Sequence, residues 1–242
     1  GCLNLSSINL PLSLVSIGNG VFSDCDSLIS IELPDSLENI DGSYLFNGCN
    51  RLEYVKLPNS ITTIYAGMFS GCNSLSSIIL PNSVTSIQDD AFVRCDRLYG
   101  IINNSDLQLT IGSQENGQIA YNAKVIIDKD GNRTYKEDDT GITYLDTVER
   151  FLFKIEDEEY TLIAYLGEEN TVTLPADING GDYVVYKLHG VKNVVIPKNL
   201  KKIDDYAFSE SKNLISVTFE DGGQLSSIGY AAFEYSGLAS IN

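Results

Sequence analysis

Apolar positions along this chain fall into a sentence that repeats about every 23 residues, best read between Phe46 and Ile87: Phe-x-x-Cys-x-x-Leu-x-x-[Val/Ile]-x-Leu-Pro-Asn-Ser-[Ile/Val]-x-x-Ile. Fuller copies begin at Phe22, Phe46 and Phe69. A partial copy occupies 2–21, and another starts at Phe92 and runs to about Ile102. A self-similar period of this length predicts stacked units, none of which buries its own apolar side and all of which share one core.

Each copy divides in three. The stretch Leu-x-x-Ile-x-Leu (Leu28-Ile31-Leu33, Leu52-Val55-Leu57, Leu75-Ile78-Leu80) ends in two-residue alternation, which predicts a short strand with those side chains inward. Proline then stops the ladder, having no amide hydrogen, and Pro-[Asp/Asn]-Ser is turn chemistry. Leu37 and Ile40, Ile61 and Ile64, and Val84 and Ile87 return to the core three residues apart. A polar stretch ending in Phe, as in Asp90-Ala91-Phe92, reads as one helical turn on the far side of the coil.

From Asn103 to about Asn170 the period is lost. Leu107, Leu109 and Ile111 alternate like a strand, and 117–124 reads as a short helix. Lys124–Ile127 and Arg133–Tyr135 flank Asp130-Gly131, a hairpin signal. Phe151–Ile155 and Tyr160–Tyr165 flank Glu156–Glu159, a second one. The repeat resumes at Val172-Thr173-Leu174-Pro175, Val194-Val195-Ile196-Pro197 and Val217-Thr218-Phe219. Three segments follow: N-terminal repeats over 1–102, a β-rich acidic insert over 103–170, and C-terminal repeats over 171–242 that continue the solenoid. Copies are broken at both ends, so the sequence reads as a piece of a longer chain.

Charge narrows the partners. The net charge is −17, and residues 102–170 alone carry 15 acidic side chains against 6 basic ones. Such a field repels phosphate backbones and anionic headgroups, so nucleic acid and membrane surfaces are poor partners. No apolar run reaches the roughly 20 residues that a membrane helix requires, and no signal segment opens the sequence. The five cysteines, Cys2, Cys25, Cys49, Cys72 and Cys95, share one slot of the repeat. An odd number in identical register predicts a buried column of free thiols, with oxidation between neighbouring coils as the alternative.

The run Ala91-Phe92-x-x-Cys95 with Leu80-Pro81-Asn82-Ser83-Val84 resembles the BspA-like class of leucine-rich repeats, and the likeness extends over about 2–102 and 172–242. The resemblance implies an α/β leucine-rich-repeat solenoid, a right-handed β-α superhelix, here interrupted by a β-rich insert. It also implies a bacterial protein at the cell surface or secreted, in a class with members described as adhesins for host matrix proteins. Ser211 and Ser236 stand in the cysteine slot of later copies, which argues that cysteine there is filler rather than chemistry.

Side chains alternating outward from the strands form columns across neighbouring coils, the usual binding face of a solenoid. The central column is Asn9, Glu32, Lys56, Ile79, Ile102, Thr173, Val195 and Thr218; Ser7, Ser30, Tyr54, Ser77, Gly100, Thr171, Asn193 and Ser216 flank it. Glu32, Tyr54, Lys56, Ile79 and Ile102 are the candidate binding residues. Ile79 and Ile102 put apolar side chains where solvent is expected, either as a recognition patch or as surface that the insert covers.

Catalysis finds no support. His189 is the only histidine, and the acidic pairs Asp89-Asp90, Asp138-Asp139 and Asp204-Asp205 have no pocket nominated by a motif. Asp128-x-Asp130-Gly131-Asn132 opens like a calcium loop, but Arg133 stands at the sixth position and Asp139 at the twelfth, so a hairpin turn is the better reading. No metal or cofactor is expected. The sequence therefore predicts a non-catalytic recognition or adhesion module for a protein or glycan, possible host matrix components included; the alternative is a structural spacer without a ligand of its own.

Overall fold

The computed structural model describes residues 1–137, 140–147, 150–188 and 190–241; Asp138, Asp139 and His189 lie outside the described residues. The chain forms two compact units, Gly1–Lys136 and Glu137–Asn242.

In the first unit the predicted strand slots form parallel ladders. Ser30–Glu32 pairs with Tyr54–Lys56, and Ser77–Leu80 pairs with Gly100–Asn103, each residue facing its counterpart in the repeat. Ile31, Val55, Ile78 and Ile101 point inward and are buried. Pro34, Pro58 and Pro81 stand just past the strands, where no amide is needed. A second strip follows the turn, with Ser16–Ile17 beside Asn39–Ile40 and Thr63–Ile64 beside Ser86–Ile87, again parallel.

The helical turn expected before each Phe is not formed. Around Phe46 the amides of Leu45, Asn47 and Cys49 donate to carbonyls three residues back, on Gly42, Tyr44 and Phe46. Those of Tyr44, Phe46 and Gly48 donate instead to Ala66, Met68 and Ser70 of the next coil. The same alternation recurs around Phe69, where Gly67, Phe69 and Gly71 reach Asp89, Ala91 and Val93. A helix needs every amide for its own turns, and here every second one serves the neighbour. Two left-handed residues per coil, four apart, fix this path: Gly20 and Asp24, Tyr44 and Gly48, Gly67 and Gly71, Asp90 and Arg94, with φ between 55° and 76°. The fold is a β-solenoid of stacked coils, and the β-α superhelix is corrected accordingly.

Stacking supplies the core. The rings of Phe22, Phe46, Phe69 and Phe92 lie one above the next, with centroids 5.7, 5.5 and 5.1 Å apart and nearly parallel planes. Phe46 and Phe69 are fully buried, as are Leu28, Leu52 and Leu75. Each such side chain contributes about 1.5–3 kcal/mol that an isolated coil would not gain.

Beyond Asn103 the repeat is lost but the coil persists. Val125–Asp128 adds in parallel beside Gly100–Asn103, and the Gly117 carbonyl accepts the Phe92 amide. The expected hairpin is present, Arg133–Tyr135 pairing antiparallel with Val125–Asp128. The strand expected at 107–111 is not formed. The Asn103 carboxamide accepts from the Ser105 amide and hydroxyl and donates to the Leu107 carbonyl, and the Ser105 hydroxyl takes the Leu107 amide. Such local bonds compete with a ladder, and the place beside Gly100–Asn103 is already filled. Leu107, Leu109 and Ile111 still pack on the core. The expected helix over 117–124 reduces to a 3-10 turn at Asn116–Gln118, with Gly117 at φ 60°.

The second unit opens with an antiparallel sheet in which Phe151–Glu156 lies between Thr143–Asp146 and Glu159–Tyr165, as the second hairpin signal predicts. Val184–Val185 adds in parallel to Glu159–Tyr165. The resumed repeat then forms a parallel sheet of Thr171–Thr173, Asn193–Ile196, Ser216–Phe219 and Ser240–Ile241. Phe208 and Phe233 stack at 5.4 Å. Phe151, Phe153, Leu162 and Tyr165 join the same core as Val172, Val194 and Val217, so the hairpin closes the repeat layer from within its own unit.

Candidate functional site

The strand face of the first unit is built by register. Ser7, Ser30 and Tyr54 pair in sequence across coils, and Glu32 faces Lys56. Parallel pairing without slippage puts equivalent side chains in one column, because Ile31 and Val55 must both point into the core. Glu32 and Lys56 are exposed and Tyr54 is half-buried. This end of the face offers an acid, a base and a phenol ring within two neighbouring coils.

Further along, the column changes character. Ile79, Ile102 and Ile127 align in register. Ile79 is half-buried, whereas Ile102 is only 7% exposed and Ile127 only 2%. Ile127 carries the column on through a strand that has no repeat signature, and no alternation read from 1–102 would have placed it there. In the second unit Thr173, Val195 and Thr218 align likewise, with both threonines exposed.

Beside the strands runs a polar ladder. The Asn50 carboxamide donates to the Asp26 carboxylate at 2.8 Å, and Asn73 donates to the Asn50 side-chain oxygen at 3.1 Å. These are the residues just after each cysteine, and their side chains join coil to coil. Ser36, Ser60 and Ser83 act similarly, each hydroxyl donating to a carbonyl of the preceding coil, on Leu14, Leu37 and Ile61.

The thiols are aligned and free. Those of Cys49, Cys72 and Cys95 donate to the carbonyls of Phe22, Phe46 and Phe69 at 3.1, 3.3 and 3.1 Å. The slot therefore asks for a small buried donor, and filler is an incomplete description of it. Ser211 meets the same demand, its hydroxyl donating to the Leu188 carbonyl at 2.5 Å. Burial pushes the Cys49 and Cys95 thiols up to about 12 and the Cys72 thiol well above its ordinary value. Thiolate nucleophiles need the opposite shift, so these three thiols serve as hydrogen-bond donors between coils.

At 128–132 the hairpin reading is the one observed. Asp128 Oδ1 accepts the Asp130 and Asn132 amides at 3.0 and 2.8 Å, and Oδ2 accepts the Asn132 carboxamide at 2.9 Å. The Asn132 side chain, with these amides, holds the carboxyl below its usual range. Both oxygens are occupied by the turn itself. Asp139, the twelfth position of the calcium reading, falls outside the described residues, as do Asp138 and His189. Among the described residues no helix is long and apolar enough to cross a membrane.

The sequence matches the BspA type leucine rich repeat region in six copies, over residues 1–114 and 172–242. Among solved structures it is similar to the leucine-rich repeat protein of T. pallidum, at 21% identity over 94% of this chain and 72% of that one, with a TM-score of 0.39. A leucine-rich repeat protein of Bacteroides ovatus shows 19% identity over 92% and 68%, with a TM-score of 0.32. A leucine rich cell surface protein of Faecalibacterium prausnitzii shows 17% over 90% and 83%, with a TM-score of 0.27. No curated protein matches the sequence significantly.

Proposed function

Because this chain belongs to the BspA-type leucine-rich repeat family, we propose that it is a non-catalytic recognition module of a bacterial surface or secreted protein, binding a protein or glycan through its strand face. One observation carries the reading: Glu32 and Lys56, of opposite charge, face each other in register on exposed neighbouring strands, with Tyr54 in the adjoining column. Opposite charges beside an aromatic ring suit a polar partner that also offers an apolar patch. Ile79 extends this surface with its exposed part, whereas Ile102, beside it in register, is buried and drops out of the contact set. The hydrogen-bonded coils fix the backbone beneath these groups, so only the side chains are ordered on binding.

The test is binding to a panel of purified matrix proteins and immobilised glycans, with the Tyr54→Asp and Lys56→Glu double variant as comparison. A partner should bind the wild-type chain and lose about tenfold or more in affinity with the variant. Equal binding by both would remove the strand face as the site. An empty panel would favour the spacer reading, in which the stack only separates neighbouring domains.

A further inference from the structure

The second unit contains a cleft of about 350 Å³, at the small end of the range of ligand pockets and roomy enough to admit one long side chain. It lies where the hairpin tip at Glu158–Tyr160, the strand Val184–Val185 and the segment 199–204 converge. Tyr183 and Leu200 are buried there, while Val184 is 39% exposed. The cleft therefore has an apolar floor open to solvent. Its walls carry Glu158, Glu159, Asp182 and Asp204 against Lys201 and Lys202.

Two of these charges answer each other. Lys202 Nζ lies 2.8 Å from Asp204 Oδ1, and the carboxylate raises the lysine's pKa. Asp204 Oδ2 accepts the Val185 amide at 3.3 Å, so the outward amide of this strand is capped and a peptide backbone cannot pair with it there. Glu158, Glu159 and Asp182 remain against Lys201, and none of the four has an ion-pair partner among the described residues. The wall thus keeps an excess of negative charge above an apolar floor.

We infer that this cleft takes a basic side chain, lysine or arginine, from a partner peptide, with the aliphatic stem against Val184 and Leu200 and the charged end between Glu159 and Asp182. Long basic side chains combine these two surfaces, and complementary charge excludes acidic competitors. The inference stands whether or not the strand face of the first unit holds a partner, since the two tests alter different units.

A fluorescent oligolysine peptide, followed by anisotropy at low salt, tests it. Saturable binding is expected, weakening as salt rises. Glu159→Lys with Asp182→Lys should lower affinity about tenfold or more, whereas the same charge change at Glu38 and Asp41 should alter it less than about twofold. Thermal melts matching wild type establish that both variants fold. Equal loss in both would show attraction to the diffuse acidic field and overturn the site. Absence of saturable binding to the wild-type chain would overturn it as well.

Discussion

The thiol of Cys72 donates to the carbonyl oxygen of Phe46 across 3.3 Å, from one coil to the one before it. The same two coils are joined on the turn side by the Phe46 amide, which donates to Met68, and in the core by the stacked rings of Phe46 and Phe69. Side chain, backbone and ring therefore all tie neighbours together at one residue. Stability in such an array resides in the contacts between units more than within them.

Phe69→Ala should destabilise the first unit by about 3–5 kcal/mol, because the ring is fully buried between Phe46 and Phe92 and neither neighbour can collapse into the space it leaves. Urea unfolding of the variant measures this. A midpoint equal to wild type would contradict the stacked core.

Thiol labelling should separate one cysteine from the rest. Cys2 is exposed, whereas Cys25, Cys49, Cys72 and Cys95 are buried. A chromogenic disulfide reagent should therefore modify Cys2 rapidly in the native protein and the others only after denaturant is added. Rapid native reaction of all five would refute the column.

Stability should fall in alkali. Below the ordinary thiol value of 9.0 both the folded and unfolded chains hold the proton, and these groups have no effect. Above it the unfolded chain releases the proton while folded Cys49 and Cys95 keep theirs toward about 12, so unfolding is increasingly favoured across that window. Denaturation midpoints measured at rising pH should decline, and more shallowly in a Cys49→Ser and Cys95→Ser double variant.

Ser211→Ala should cost about 1–3 kcal/mol by leaving the buried Leu188 carbonyl without its donor. Ser211→Cys retains a donor and should cost less. Melting temperatures of the two variants give the comparison, and equal losses would mean that the hydrogen bond contributes nothing.

Two glycines with left-handed backbone should respond differently to alanine. At Gly112, φ 81°, a Cβ meets open space, so only the backbone cost of about 1–2 kcal/mol applies. At Gly117, φ 60°, it would lie 2.4 Å from the Gln88 carbonyl oxygen and 2.8 Å from the Ala91 Cβ. Gly117→Ala should be clearly the worse by chemical denaturation.

Much of this was legible in the chain. Alternation at Ile31, Val55 and Ile78 gave the inward face because strand period is insensitive to tertiary context, and Asp130-Gly131 marked its hairpin for the same local reason. The turn before each Phe misled, since Asp90-Ala91-Phe92 looks helical only if its amides are assumed to bond within their own segment. What decides the matter is a carbonyl some 23 residues away, as in Phe69 donating to Ala91. Val125–Asp128 reads in the sequence only as one arm of a hairpin because it lacks the leucine and proline landmarks of the repeat, yet its backbone pairs with Gly100–Asn103 as another copy would. On the candidate face, register placed Glu32 opposite Lys56, but the burial of Ile102 depends on surroundings that alternation does not encode.

The alternating amides of the turn strip impose a counting rule on any change of length. Between Ile40 and Phe46 there is one residue more than between Ile64 and Phe69, and it falls ahead of the Tyr44, Phe46 and Gly48 donors, whose rhythm is untouched. A residue added between Phe46 and Gly48 would instead exchange inward-bonded and neighbour-bonded amides for the rest of that strip. Engineered versions of this molecule should therefore grow or shrink by whole coils, or take their insertions at the approach to the strip and not within it.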